Sequence, residues 1–171
     1  MLTFGELPVD AVIVSSVAKA RTYYADHGDK VCLSLDGVSP CAQSKEPQAK
    51  KCAVCSHNQW GSRITRNGKR GKACSEYSQL WLLQPDEPSE KLSLRVPSAS
   101  LRSFRDYEKQ VTTRGEALNN VVTRIAATEE ATRSLLTFRV IRFLEDGELN
   151  TLKNRSEEPV SKFDTTEGYT S

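Results

Sequence analysis

Four of the five cysteines fall in a pattern that the rest of the chain must be built around. Cys52-Ala-Val-Cys55 is a C-x2-C turn, Cys74 follows after eighteen intervening residues, and Cys32 precedes it by nineteen. Such a turn points two thiolates the same way, so that they converge on one zinc ion, and two further ligands from flanking strands complete a tetrahedron. Cys74 supplies one of these. Cys32 and Cys41 compete for the other, and His57, two residues past Cys55, is a weaker competitor. Disulfides are the poorer reading, because an odd count strands one thiol and Met1 is not followed by the basic and apolar stretches of a secretory signal. A redox C-x2-C would need a βαβ setting, and no helix follows here. A closed four-thiolate site leaves no position for water, so the expected role is structural.

The segment around these cysteines needs such a staple. From Ala42 to Glu76 the chain carries eight basic and two acidic side chains, few aliphatic ones, and Gly61, Gly68 and Gly71. It cannot bury a core of its own, and metal binding then supplies its folding free energy. Leu, Ile, Val and Phe make up 38 of the 171 residues, close to the floor of about 20% below which charged chains stay unfolded, so the core elsewhere is thin. The net charge of only +2 conceals this local excess. No apolar run approaches the roughly 18 residues of a membrane span. A cytoplasmic protein is expected.

Short strand-like runs surround the insertion at Val9–Ala18, Val31–Leu35, Gln79–Gln84, Leu92–Val96, Asn120–Ala127 and Leu135–Leu144. One amphipathic helix is expected from Ser98 to about Arg114, with Leu101, Phe104, Tyr107 and Val111 on one face, Ser98 as N-cap and Gly115 at the C-terminal stop. The reading is a mainly β fold with one helix, an OB-fold-like barrel over residues 1–154, carrying a zinc-stapled insertion at about 36–76. Residues 155–171, with Glu157, Glu158, Asp164 and Glu167 against Arg155 and Lys162, read as a disordered acidic tail.

The stretches Arg21-Thr-Tyr-Tyr24, Cys32-Leu-Ser-Leu-Asp-Gly-Val-Ser-Pro40, Cys52-Ala-Val-Cys-Ser-His-Asn-Gln-Trp-Gly-Ser62 and Gly71-Lys-Ala-Cys74 resemble a family of bacteriophage single-stranded DNA-binding proteins with a zinc-stapled OB-like fold. The similarity extends over about residues 7–140, through Leu80–Leu83, Leu94–Ser98, Val121–Ile125 and Leu136–Phe138, mainly as strand pattern. The resemblance implies that Cys32, Cys52, Cys55 and Cys74 hold zinc and that Cys41 does not. It implies more chain ahead of Leu7. It also implies a role in phage DNA replication or recombination inside the bacterial host cell.

Binding single strands without sequence choice requires cations that track phosphates and exposed rings on which bases stack. Arg63, Arg66, Lys69, Arg70 and Lys72 lie within ten residues and suit a basic loop. If Leu80 and Leu82 point inward, Trp81, Gln79 and Tyr77 point outward, making Trp81 a stacking candidate. Trp60 is expected to pack over the knuckle, with stacking as its other use. Tyr23 and Tyr24 must diverge, one into the core and one, with Arg21 ahead of it, toward a strand; Tyr24 is assigned to DNA. Arg124 and Arg139 are further phosphate candidates, or partners of acids.

No enzyme is indicated: the histidines are His27 and His57 alone, no Walker loop occurs, and Glu129-Glu130 is at best a turn pair. The alternative is a zinc-ribbon adaptor that binds host or phage proteins. In either reading the tail, through Phe163 and Tyr169, is a candidate contact for replication proteins, and a homo-oligomer is possible.

Overall fold

The computed structural model describes residues 1–25, 28–86, 91–130 and 133–156. One strand organises the sheet. β1 (Val9–Tyr24) runs for sixteen residues and pairs antiparallel along one side with β5 (Ser75–Leu83), from Val12 opposite Leu83 to Thr22 opposite Ser75. Its other side is shared. β7 (Val121–Glu130) takes the first part, Val9 opposite Ile125 to Val12 opposite Val122, and β2 (Lys30–Ser34) takes the last, Arg21 opposite Ser34 to Tyr24 opposite Lys30. β6 (Lys91–Pro97) and β8 (Arg133–Phe143) extend the sheet by hairpins on β5 and β7. The order is β6-β5-β1-β7-β8, with β2 beside β1, and a separate two-stranded ladder joins β3 (Arg63–Ile64) and β4 (Arg70–Gly71).

The expected strands are therefore present, with β1 longer than its apolar run. It continues past Ala18 because the ladder irregularities between Ile13 and Ser15 and between Val17 and Ala20 re-aim the chain rather than end it. Lys19 sits there at a φ of 63°. The expected closed barrel is not seen: among the described residues β6 and β8, the two edges, do not pair.

What spans the two edges is the helix. α1 (Leu101–Thr113) buries Leu101, Phe104, Tyr107 and Val111, the face its sequence spacing predicts. These pack with Val9, Ala11, Ile13, Leu80, Leu82, Leu94, Val96, Val121, Ile125 and Leu136 into the main core. Fully burying each such side chain contributes about 1.5–3 kcal/mol, which is how so few aliphatics hold one sheet. The Phe138 ring of β8 lies 5.1 Å from that of Phe104, and the buried Tyr107 hydroxyl bonds the Thr123 hydroxyl.

Ser98 is not the N-cap. Residues Ser98–Ser100 form a 3-10 turn after Pro97, and Ser100, at the N-cap position, uses its hydroxyl to accept the Leu136 amide of β8. Gly115 ends the helix at a φ of 79°, as expected.

A second helix, α2 (Asp146–Ser156), was not anticipated. It covers the other face of the sheet, where Leu144 and Leu152 pack with Val12, Leu83 and Val122. Glu148 fixes its first turn: the carboxylate accepts two bonds of 2.7 Å from Arg142 and one of 2.9 Å from the Glu145 amide. Those bonds lower the Glu148 pKa to about 2. Helix thus extends into the segment read as tail. Residues 157–171, with Phe163 and Tyr169, and His27 lie outside the described residues. Among the described residues no helix is long and apolar enough to cross a membrane.

Candidate metal centre and nucleic-acid interface

The insertion leaves the sheet at the end of β2 through a turn that Asp36 organises. Its carboxylate accepts the Val38 and Ser39 amides at 2.7 and 3.0 Å and the Ser34 hydroxyl at 2.9 Å, which holds its pKa below the usual carboxylate range. Gly37, at a φ of 72°, crosses the β1 irregularity so closely that a Cβ there would lie 2.3 Å from the Lys19 carbonyl oxygen. The chain then runs back beside β2, with Cys41 and Glu46 amides donating to the Leu33 and Val31 carbonyls.

The knuckle consists of two 3-10 turns, Cys52–Val54 and Ser56–Asn58, joined at Cys55. The Cys52 amide donates to Val38 and the Cys74 amide to His57, so the remote segments are sewn to the turn by backbone bonds of 2.8 Å. As a result Cys32, Cys52, Cys55 and Cys74 line one cavity of about 20 Å³, together with Arg21, Tyr23 and Asn58. Cys41 does not; it packs beside Ala20, Leu33 and Tyr77. His57 is engaged elsewhere, its ring stacked at 3.9 Å on that of Tyr23. All five cysteines are free thiols. Burial pushes the Cys74 thiol up to about 11, the Arg21 guanidinium opposes this, and the Cys55, Cys52 and Cys32 sulfurs add to it. Among the described residues no three ligating side chains are drawn into a coordinating group.

From the knuckle the β3–β4 hairpin projects into solvent. Thr65 and Lys69 close it, with Gly68 at a φ of 72° supplying the turn. Arg63, Arg66, Lys69, Arg70 and Lys72 are all exposed. Lys72 donates to Asn58 at 3.2 Å, whereas the other four form no ion pair with a described residue. Trp60, expected over the knuckle, is instead 73% exposed, and Ile64 is 68% exposed beside Arg63. The reason is economy of cover: the insertion holds too little apolar surface to bury an indole.

Arg21 is turned away from solvent. Its side chain is 14% exposed, and its two terminal nitrogens donate to Asn58 Oδ1 at 2.8 Å and Glu76 Oε2 at 2.9 Å, so it is spent on the fold rather than on the DNA face for which the sequence singled it out. Glu76 also holds Arg105 of α1 at 2.7 Å. Arg124 is likewise engaged, bidentate on Asp10 at 2.7 and 2.6 Å.

The outer face of β5 divides in three. Tyr77, expected outward, is only 7% exposed, because Leu33, Leu35 and Cys41 cover its end of the face. Leu83 is covered at the other end by α2. Between them Gln79 and Trp81, with Ser15 and Val17 of β1 and Ser93 and Arg95 of β6 as register neighbours, stay at least partly open. Arg95 lies 3.9 Å over the Tyr77 ring and donates to the hydroxyl of Tyr24, which is 38% exposed. The sequence reading passed over Arg95, although its alternation with Leu94 and Val96 already places it on this face. Compared with protein-family models, with curated protein sequences and with solved structures, the chain matches none.

Proposed function

We propose that this chain binds single-stranded DNA without sequence choice, and that Cys32, Cys52, Cys55 and Cys74 hold one structural zinc ion that stiffens the base of the basic hairpin. The observation that carries the reading is the pairing, on that hairpin and its stem, of uncommitted cations with an indole left in water. Cations follow phosphates, and an open ring accepts any base. The window around Trp81 and Arg95 offers a second ring and a guanidinium already oriented by two tyrosines. The sheet, with β1 shared between two partner strands, is read as an OB-like arrangement. A part in phage replication or recombination rests on the sequence resemblance alone.

Zinc is supported by the donor set: four soft thiols line one small cavity while the fifth cysteine and the adjacent histidine have other neighbours. When bound, the ion would contribute folding free energy to a segment with little else to hold it. Val54, Trp60 and Ile64, all exposed, favour the alternative of an adaptor that docks on another protein.

Titrating the protein with oligo-dT and with a duplex of equal length at several salt concentrations separates the two. DNA binding predicts tryptophan quenching by the single strand, a steep salt dependence, and loss of most of the quenching in Trp60→Ala or Trp81→Ala. Absence of quenching and of any gel shift at low salt would reject it in favour of the adaptor.

A further inference from the structure

We infer that Arg21 is the charge-balancing positioning residue of the cysteine centre, its Nε–H donating to a thiolate there. The inference rests on the zinc reading above. Three segments supply the cysteines, and Arg21 is tied to each. On β1 it stands opposite Ser34, two residues from Cys32, and opposite Glu76, two residues from Cys74. Residues two apart on a strand share a face, which puts Cys32 on the side of Arg21, and Cys74, just ahead of β5, lines the same cavity as both. The third segment is the knuckle: Arg21 donates to Asn58 Oδ1, while Asn58 donates to the Cys52 carbonyl at 2.7 Å.

With both terminal nitrogens so held, the orientation of the guanidinium is fixed, and Nε is the part left over. It is buried, has no hydrogen-bond partner, and belongs to a side chain that lines the cysteine cavity. A buried N–H donor without an acceptor costs about 1–3 kcal/mol. Four thiolates around a divalent cation leave a net charge of −2, which a buried site must offset with N–H donors and a positive group. One arginine supplies both. Lysine would keep the charge but not the fork that spans Asn58, Glu76 and a sulfur together.

The direct test uses the wild-type chain loaded with ¹¹³Cd in place of zinc. A cadmium resonance typical of four thiolates, with scalar coupling to the Arg21 Hε, is the expected result. No four-thiolate resonance would overturn the metal reading and this inference with it; such a resonance without the coupling would overturn this inference alone. Arg21→Lys should lose metal to a chelator about tenfold faster, the lower end of the effect of removing an outer hydrogen bond from a metal ligand. Glu76→Gln, which loosens Arg21 from β5 and α1 but keeps Nε, should change that rate much less. Equal acceleration in both variants would reduce Arg21 to a structural tie and overturn the assignment.

Discussion

The sheet and the insertion solve the problem of holding a chain together by different means. On the sheet, aliphatic side chains from five strands and one helix face close a core in which Leu80, Leu82, Val96, Val121, Ile125 and Leu136 are fully or almost fully buried. In the insertion the buried groups between Gly37 and Cys74 are Cys52, Cys55, Cys74 and Asn58. One region is stabilised by area removed from water, which is spread over many side chains and degrades gradually. The other gathers four sulfurs in one cavity and a polar chain running Lys72, Asn58, Arg21, Glu76, Arg105, in which each member holds the next. The exposed cations and the open indole thus sit on the part whose stability is most local.

The largest expected effect breaks the insertion and spares the sheet. Elemental analysis should give one zinc per chain, and Cys52→Ser or Cys74→Ser should abolish it and open residues 36–74 to protease while the far-UV spectrum of the sheet persists. Cys41→Ser should keep the metal, because Cys41 lies outside the cavity; loss of zinc there would move the fourth ligand from Cys32 to Cys41. Leu80→Ala does the reverse, costing about 2–5 kcal/mol by urea unfolding and destabilising the whole domain in one transition.

A smaller effect tests whether the hairpin meets phosphates. Replacing Lys69, Arg70 and Lys72 together with Ala should reduce the slope of log affinity against log salt by about 0.7 for each phosphate that these side chains neutralise, alike for all sequences. An unchanged slope would remove the hairpin from the interface.

The smallest concerns α2. The Glu148 pKa is depressed to about 2 by Arg142 and the Glu145 amide. A depressed carboxylate stabilises the folded state above its unfolded value of about 4.5 and ceases to do so as pH falls toward 2. Wild type should therefore exceed Glu148→Gln in melting temperature at pH 7, with the gap closing between about pH 4.5 and 2. Because the pair is exposed, the gap is modest and shrinks with salt.

Much of the sheet was legible because alternation and burial coincide there: Leu80 and Leu82 of LWLL and Leu92 and Leu94 of LSLRV point to the main core, and the α1 face follows helical spacing. The α2 helix was not, since Leu149 and Leu152 are its only apolar groups and Gly147 stands in its first turn. Tyr77 was placed on the correct face, but the reading took that face to be open, and cover from Leu33 and Leu35 comes from distant sequence. The cysteine spacing marked Cys52, Cys55 and Cys74, but that Cys32 rather than Cys41 shares their cavity followed only from the family resemblance. Nothing local foretold that Arg21 would turn inward, because its partners Asn58 and Glu76 lie 37 and 55 residues away.

The shared edge of β1 has a consequence for how such a protein can be cut and joined. Thr22 faces Leu33 on one side and Ser75 on the other, so the insertion departs and returns two strand spacings apart, about 10 Å. About three or four residues bridge that distance. The whole cysteine-bearing stretch is therefore a cassette clipped across a single strand, removable or exchangeable for another without rethreading the sheet, and a chain shortened in this way would show how much of the proposed affinity for DNA resides in the sheet alone.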